Sequence, residues 1–248
     1  MVKLSIWLTK INMIKIITFA TGSDGNLYLL QNDKTKILVE CGVNAKAIRK
    51  YLISKNIFIS ELDGCVVSHS HQDHCLSVDY VSYYIPTYST KQLCETHSEC
   101  RKIEPKVPFK IGDIKILPIP VEHGNCENNA FVFLDKDSCV FFGTDFSLMK
   151  QNVSNFKFNK VMIECNYDDN ELQKCLENKE TELREKYERQ VSTHMSKINC
   201  MEHLDKMNLT NCDEIILLHN SKFLISKDNT IKEFTNKYNI NTIYANEK

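Results

Sequence analysis

After Gly143 the chain contains no glycine at all, and all 248 residues together hold only 7 glycines and 5 prolines. No low-complexity stretch or linker divides the sequence, so nothing in its composition separates it into independent parts. The eleven cysteines are an odd number, include no C-x-x-C pair and lie mostly inside apolar runs. This argues against a disulfide framework and predicts reduced, buried thiols in a cytoplasmic protein. No apolar run approaches the length of a membrane span, so no membrane partner is expected. Met1 to Leu8 is too short for a signal peptide and is soon followed by Lys10 and Lys15. Positive charge is not in excess either, with 31 Lys and Arg against 32 Asp and Glu. No global field advertises a nucleic-acid binder, although a local patch stays open.

What is present suits one large domain or two small ones, with 42% hydrophobic residues to fill a core. Met13 opens a fresh strand-like run, so residues 1–12 read as an N-terminal extension and 13–248 as a single domain. Ile14 to Phe19, Asn26 to Leu30 and Lys36 to Val39 are short apolar or alternating runs separated by Gly22-Ser23-Asp24-Gly25 and Asn32-Asp33, which predicts an antiparallel meander. Ala47, Ile48, Tyr51 and Leu52 fall at helical spacing within Val43 to Lys55. From Ile85 to Lys110 the signals are mixed, with a polar helix near Thr90 to Glu99, and read as a peripheral excursion. Ile114 to Val121, Ala130 to Leu134 and Ser138 to Phe142 predict a second meander, its last two strands joined at Asp135-Lys136-Asp137. Strand and helix then alternate: Lys160 to Glu164, a charged helix Asn170 to Arg189, a helix Lys197 to Met207, a strand Glu214 to Leu218, a helix Thr230 to Lys237 and a strand Ile240 to Tyr244. A meander followed by helices, occurring twice, implies an α/β (α+β) fold of two mixed β-sheets packed face to face with outer helices, a four-layer αβ/βα sandwich.

The densest chemistry lies in His69-Ser70-His71-Gln72-Asp73-His74, directly after the apolar run Cys65-Val66-Val67. Imidazole nitrogen and carboxylate oxygen are preferred ligands of zinc and similar ions. On an extended segment His69 and His71 share a face and can reach one ion. Asp73 and His74 are adjacent and would diverge, unless a helix starting there redirects both to a second ion. The six residues read as half of a two-metal site, and a helix from Leu76 to Tyr84 is expected behind them. His123, Asp145 and His219 each follow a predicted strand, the place from which a rigid sheet can hold side chains from distant parts of a chain at one edge.

The six-residue run resembles the His-x-His-x-Asp-His signature of the metallo-β-lactamase fold superfamily. Gly22-Ser23-Asp24-Gly25-Asn26, His123, Thr144-Asp145, Glu164 to Tyr167, His194-Met195-Ser196 and His219-Asn220-Ser221 are similar to elements of its ribonuclease Z group, and above all of the YycJ-type exonucleases. The resemblance implies one ion held by His69, His71 and His123, a second by Asp73, His74 and His219, and Asp145 bridging the two. The ions would be two divalent metals, Zn2+ first and Mn2+ second, with a metal-bound hydroxide as nucleophile and Asp73 orienting it. It also implies that His194 stabilises or protonates the leaving oxygen of a phosphodiester, with Glu164 orienting the imidazole. A residue that is usually Asp in these relatives, supporting the signature histidines from behind, is here Glu40. Its longer side chain bears on turnover more than on metal binding.

The implied function is a dinuclear phosphodiesterase acting on a nucleic acid or nucleotide substrate, foremost a DNA exonuclease. The alternative is a cyclic-nucleotide or other small-nucleotide phosphodiesterase, of the kind phages use to remove immune signals. A third reading is a metal-bound scaffold without turnover. The large insertion of RNA-processing relatives and the long tRNA-gripping arm of ribonuclease Z have no counterpart in the motif order. The resemblance further implies a homodimer. His97 and His203 fall outside every motif and read as surface or packing residues. The mixed charges of Glu177 to Arg189 read as a solvated helix face. Lys91, Arg101, Lys102, Lys106 and Lys110 form either a basic rim or ordinary solvated surface. Tyr83, Tyr84 and Tyr88 read by default as core and hairpin packing residues, with stacking on bases as the alternative.

Overall fold

Leu27 and Leu29 bury against one set of partners while Tyr28 and Leu30 bury against another, the two-sided pattern of a strand covered on both faces. In this computed structural model, which describes residues 13–177, 188, 190–221 and 223–245, the same alternation runs through both sheets. The first sheet has six strands in sequence order: β1 (Lys15–Ala20), β2 (Leu27–Gln31), β3 (Lys36–Val39), β4 (Gly64–Val66), β5 (Thr87–Ser89) and β6 (Arg101–Lys102). The second has seven, again in sequence order: β7 (Phe109–Ile111), β8 (Ile114–His123), β9 (Cys126–Leu134), β10 (Cys139–Gly143), β11 (Lys160–Glu164), β12 (Glu214–Leu218) and β13 (Asn241–Tyr244). Each sheet begins as an antiparallel meander and continues with parallel strands, from β3 in the first and from β10 in the second.

Three apolar clusters define four layers. Tyr28, Val39 and Val66 of the first sheet meet Phe133, Phe142, Met162 and Leu218 of the second. The outer face of the first sheet, with Leu38 and Cys65, takes Ile48 and Leu52 of α1 (Ala45–Ile53) and Val78 and Val81 of α3 (Val78–Tyr84). The outer face of the second, with Phe141, Ile163 and Leu217, takes Cys200 and Leu204 of α6 (Lys197–Asp205) and Phe234 of α7 (Lys227–Tyr238). Before α3, Gln72–Cys75 forms the single turn α2, so the helix expected from Leu76 begins at Val78. Between β5 and β6 lies α4 (Lys91–Thr96), capped where the Thr90 hydroxyl accepts the Leu93 N–H.

The predicted peripheral excursion is a different object. Residues 85–110 contribute β5 and β6 to the first sheet and most of β7 to the second. Strands of two or three residues carry no alternation signal, and Pro86, Pro105 and Pro108 punctuate them. Pro118 and Pro120 lie within β8, beyond the stretch of β8 that β7 pairs with. Their missing N–H groups leave no sheet bond unmade there. Of the expected charged helix, Asp169–Glu177 is present as α5 and residues 190–193 are helical. Residues 178–187 and 189, and residues 1–12, lie outside the described residues. Among the described residues no helix is long and apolar enough to cross a membrane.

Because Phe133 is completely buried between the sheets, Phe133→Ala is expected to cost about 3–5 kcal/mol. Denaturant unfolding checks this, with a lowered midpoint and an unchanged slope.

Candidate metal centre

Strands β4, β8, β10, β11 and β12 all end at the same edge, and the residues that follow them converge. Nitrogen and carboxylate oxygen atoms of His69, His71, His123 and Asp145 lie within 4.8 Å of one another, as do those of Asp73, His74, Asp145 and His219. Asp145 belongs to both groups, which are the two sets read from the sequence. A third group overlaps them, made of Asp145, Glu164, His194 and His219. Every residue singled out for the site is therefore brought together, with Glu40 behind His74 at 3.5 Å. His97 pairs with Asp79 on the surface, and His203 packs on Phe146 away from the cluster.

Backbone contacts explain how the six-residue run acquires its shape. His71 is extended, and the α2 turn then redirects Asp73 and His74. That turn is stapled from below: Asn26 N–H donates to Asp73 O at 2.8 Å, Cys41 N–H donates to His74 O at 2.8 Å, and Gly42 N–H donates to Asn26 O at 2.9 Å. A Cβ on Gly42 would stand 1.6 Å from Asp73 O, so glycine is required there for close approach rather than for a turn. The Asn26 amide also donates to Gly22 O and sits 3.1 Å from His74 Nε2. Asn26 was visible only as part of a motif, and Gly42 carried no signal.

Three strand ends share a second device. Glu40 (φ 63), Asp145 (φ 52) and His219 (φ 50) adopt left-handed backbone, a conformation that costs a non-glycine residue roughly 1–3 kcal/mol. All three side chains turn toward the cluster. Asp145 is further held by Asn128, whose amide donates to Thr144 O and Asp145 O, and by the Thr144 hydroxyl at 2.8 Å.

In the first group, the His69, His71 and His123 rings lie edge to face with centroids 4.7–4.8 Å apart. His123 Nδ1 donates to the Thr193 carbonyl at 2.7 Å, which leaves Nε2 as a lone-pair donor 3.0 Å from His71 Nδ1. Burial, reinforced by neighbouring His74, pulls the His69 imidazole well below the ordinary histidine range, and burial lowers His123. Both shifts favour the neutral form that a ligand needs. In the second group, burial opposes charge on His74 and His219. Asp145 and Glu40 outweigh it at His74, which is raised well above its ordinary value, and Asp145 with Asp73 and Glu164 raises His219 to about 10. Burial likewise opposes charge on Asp145, but His219 and His74 hold its carboxyl well below the usual range. This pocket of carboxylates favours cationic charge.

Beside these groups, Glu164 accepts from His194 Nδ1 at 2.7 Å and, through its other oxygen, from Phe146 N–H at 2.8 Å. Burial opposes ionisation of both partners, yet each stabilises the other's charge, lowering Glu164 and raising His194. The cluster opens into a cleft of about 470 Å3 whose walls include Thr21, Ser23, Asn166, Gln190 and Phe223. Gln190, whose amide bonds Asn166, and Thr193 were missed from the sequence, because their contribution is positional and belongs to no motif.

A family model described as a β-lactamase superfamily domain matches residues 35–219. The chain belongs to this family. Exodeoxyribonuclease WalJ of Streptococcus pneumoniae serotype 2 is 27% identical to it over 169 residues, covering 62% of this chain and 63% of that protein. Exodeoxyribonuclease YycJ of Bacillus anthracis is 27% identical over 104 residues, covering 39% and 38%. The chain thus spans less than two thirds of the curated relatives it matches. The metallo-β-lactamase fold protein YhfI from Bacillus subtilis superposes with a TM-score of 0.72 at 17% identity, covering 94% of this chain and 97% of that one. The sandwich is therefore the metallo-β-lactamase fold, and membership of this family implies divalent metal binding.

The donors fit such ions. His69 Nε2 and His219 Nε2 are buried without a hydrogen-bond partner, a state that costs about 1–3 kcal/mol per group. Each belongs to one of the two donor groups: the lone pair of neutral His69 suits a cation as partner, and at His219, whose Nε2 faces Asp145 and Asp73 at 3.5 and 3.7 Å, a metal ion would take the place of the proton that these carboxylates favour.

Since Gly42 is packed against the backbone that carries Asp73 and His74, Gly42→Ala is expected to weaken zinc uptake about 10–100-fold. Competition titration against a chromophoric chelator measures this, and unchanged affinity would show that the close approach is dispensable.

Proposed function

We propose that this chain is a dinuclear metal-dependent phosphodiesterase, foremost a DNA exonuclease. Residues 13–248 would form its single hydrolase domain, with 1–12 as an extension. His69, His71 and His123 would hold one divalent ion, Asp73, His74 and His219 the second, and Asp145 would serve both. When bound, zinc or manganese ions supply Lewis acidity toward a phosphoryl oxygen and make water acidic enough to ionise near neutral pH. Asp73, a quarter exposed at the cleft, would accept a hydrogen bond from the attacking water and fix its direction.

The observation that carries the phosphodiester reading is the Glu164–His194 pair at the edge of the donor cluster. Glu164 holds Nδ1, so the opposite nitrogen of a cationic imidazole is available to the cleft that His194 lines. There it would donate its proton to the departing oxygen of the scissile ester. A carbonyl substrate has less need of such a cation, because its oxyanion can be stabilised by metal. The third donor group is read as this acid and its support, since the facing atoms of Glu164 and His194 are already bonded to each other. The relatives named as exodeoxyribonucleases support DNA as substrate. The modest cleft, about 470 Å3, favours as second reading a cyclic or other small nucleotide. A reducing cytoplasm suits the eleven free thiols, and a homodimer is carried over from the resemblance alone.

Zinc- or manganese-loaded protein assayed on labelled linear DNA, single-stranded RNA, cyclic nucleotides and a generic phosphodiester tests this reading. Asp145→Ala is expected to abolish turnover. His194→Ala is expected to lower it about 10²–10⁴-fold with bound metal nearly unchanged. Equal cleavage by wild type and Asp145→Ala sinks the two-ion mechanism, and hydrolysis of thioesters or β-lactams alone rejects the role of His194.

A further inference from the structure

Phe223 lines the cleft without a part in the hydrolytic machinery. The residue is 86% exposed, although it lines the same cleft as Asp73, Asp145, His194 and His219. The chain on either side of it is anchored. Ser221 N–H donates to Asn166 O at 2.8 Å, and Asp168 N–H donates to Leu224 O at 2.7 Å. Leu224 itself is fully buried against Tyr167 and Leu172. Both anchors thus tie to the segment that directly follows Glu164, so the phenyl ring is displayed from backbone continuous with the site.

A phenyl ring held in water gains by being covered, and the surroundings say by what. The wall of the same cleft offers polar groups, Ser23, Asp24 and Asn220 among them, rather than the contiguous apolar patch of several hundred Å2 that protein docking uses. A lone flat apolar face among polar neighbours suits a ligand that is itself flat, aromatic and polar at its edges. The cleft volume, about 470 Å3, lies in the lower part of the small-ligand range of about 300–1,000 Å3, the scale of a single nucleotide unit.

We propose that Phe223 is a stacking platform for an unpaired nucleobase of the nucleotide whose phosphate is cleaved. This rests on the phosphodiesterase reading and deepens it. A base within a duplex keeps its faces in the stack, so the platform selects a frayed or single-stranded end, or a free nucleotide. Stacking reads no hydrogen-bonding edge and is therefore tolerant of base identity.

The test uses full-length, zinc-loaded protein and short single-stranded DNA substrates in which the residues flanking the scissile bond carry a base or are abasic. Wild type is expected to show a lower KM for the base-bearing substrate. Phe223→Ala is expected to raise that KM about ten-fold or more and bring the ratio of the two KM values near one, with kcat little affected. Phe223→Trp is expected to restore the ratio, which a merely structural role would not predict. A ratio unchanged in Phe223→Ala overturns the proposal. Binding separates this outcome from failure of the phosphodiesterase reading. The emission of the indole introduced by Phe223→Trp, taken as a difference from wild type, is expected to be quenched by thymidine monophosphate and not by deoxyribose 5-phosphate. Quenching by both or by neither overturns the platform even if DNA is cleaved. Selective quenching without turnover of any phosphodiester retains the platform and rejects the reading beneath it.

Discussion

A single buried carboxylate joins the parts of the site that come from farthest apart in the chain. Glu164 ends β11, and its oxygens meet Phe146 N–H, His194 Nδ1 and, at 3.4 Å, His219 Nδ1. It thereby ties the turn after Asp145, the start of the segment leading to α6 and the end of β12 to one point. A carboxylate without these partners would be costly so deep in the protein. With them it serves as a fixed negative centre that aligns one donor histidine and one candidate acid together. The parallel run of β10, β11 and β12 makes this geometry accessible, because all three strands deliver their last residues to the same edge.

On the opposite sheet the same edge is organised by backbone rather than charge. The α2 turn carrying Asp73 and His74 rests on Asn26, Cys41 and Gly42 through main-chain bonds. Left-handed Glu40, Asp145 and His219 show that three strand ends leave the sheet in a conformation most residues avoid. Strain of this kind persists only where surrounding contacts over-determine it. The inter-sheet core supplies that constraint, with Val39, Phe142 and Leu218 buried a few residues from the strained positions.

Much of this architecture was legible in the order of residues. Leu27–Gln31 and Glu214–Leu218 read as nearly continuous apolar runs because both strand faces meet apolar layers, and these strands lie within a residue of their expected bounds. The histidine run was conspicuous because six consecutive residues carry four donors. Residues 85–110 were misjudged as peripheral, since β5, β6 and β7 are too short to show a period and draw their stability from pairing with strands elsewhere. Mixed sheets were expected, but the switch from antiparallel to parallel after β3 and β10 depends on where each chain segment returns, which local pattern does not encode.

The sequence by itself determined the chemistry available: imidazoles and carboxylates placed after strands, thiols within apolar runs, and the secondary elements that local periodicity can specify. Only the tertiary structure decided which donors share a neighbour, that Gly42 must lack a side chain, and that Phe223 stands uncovered at the cleft. The physical reason is range. Periodicity and turn chemistry act over a few residues, whereas close approach, desolvation and electrostatic coupling act between groups such as Asn26 and His74, or Glu164 and His194, that become neighbours only when the two sheets pack.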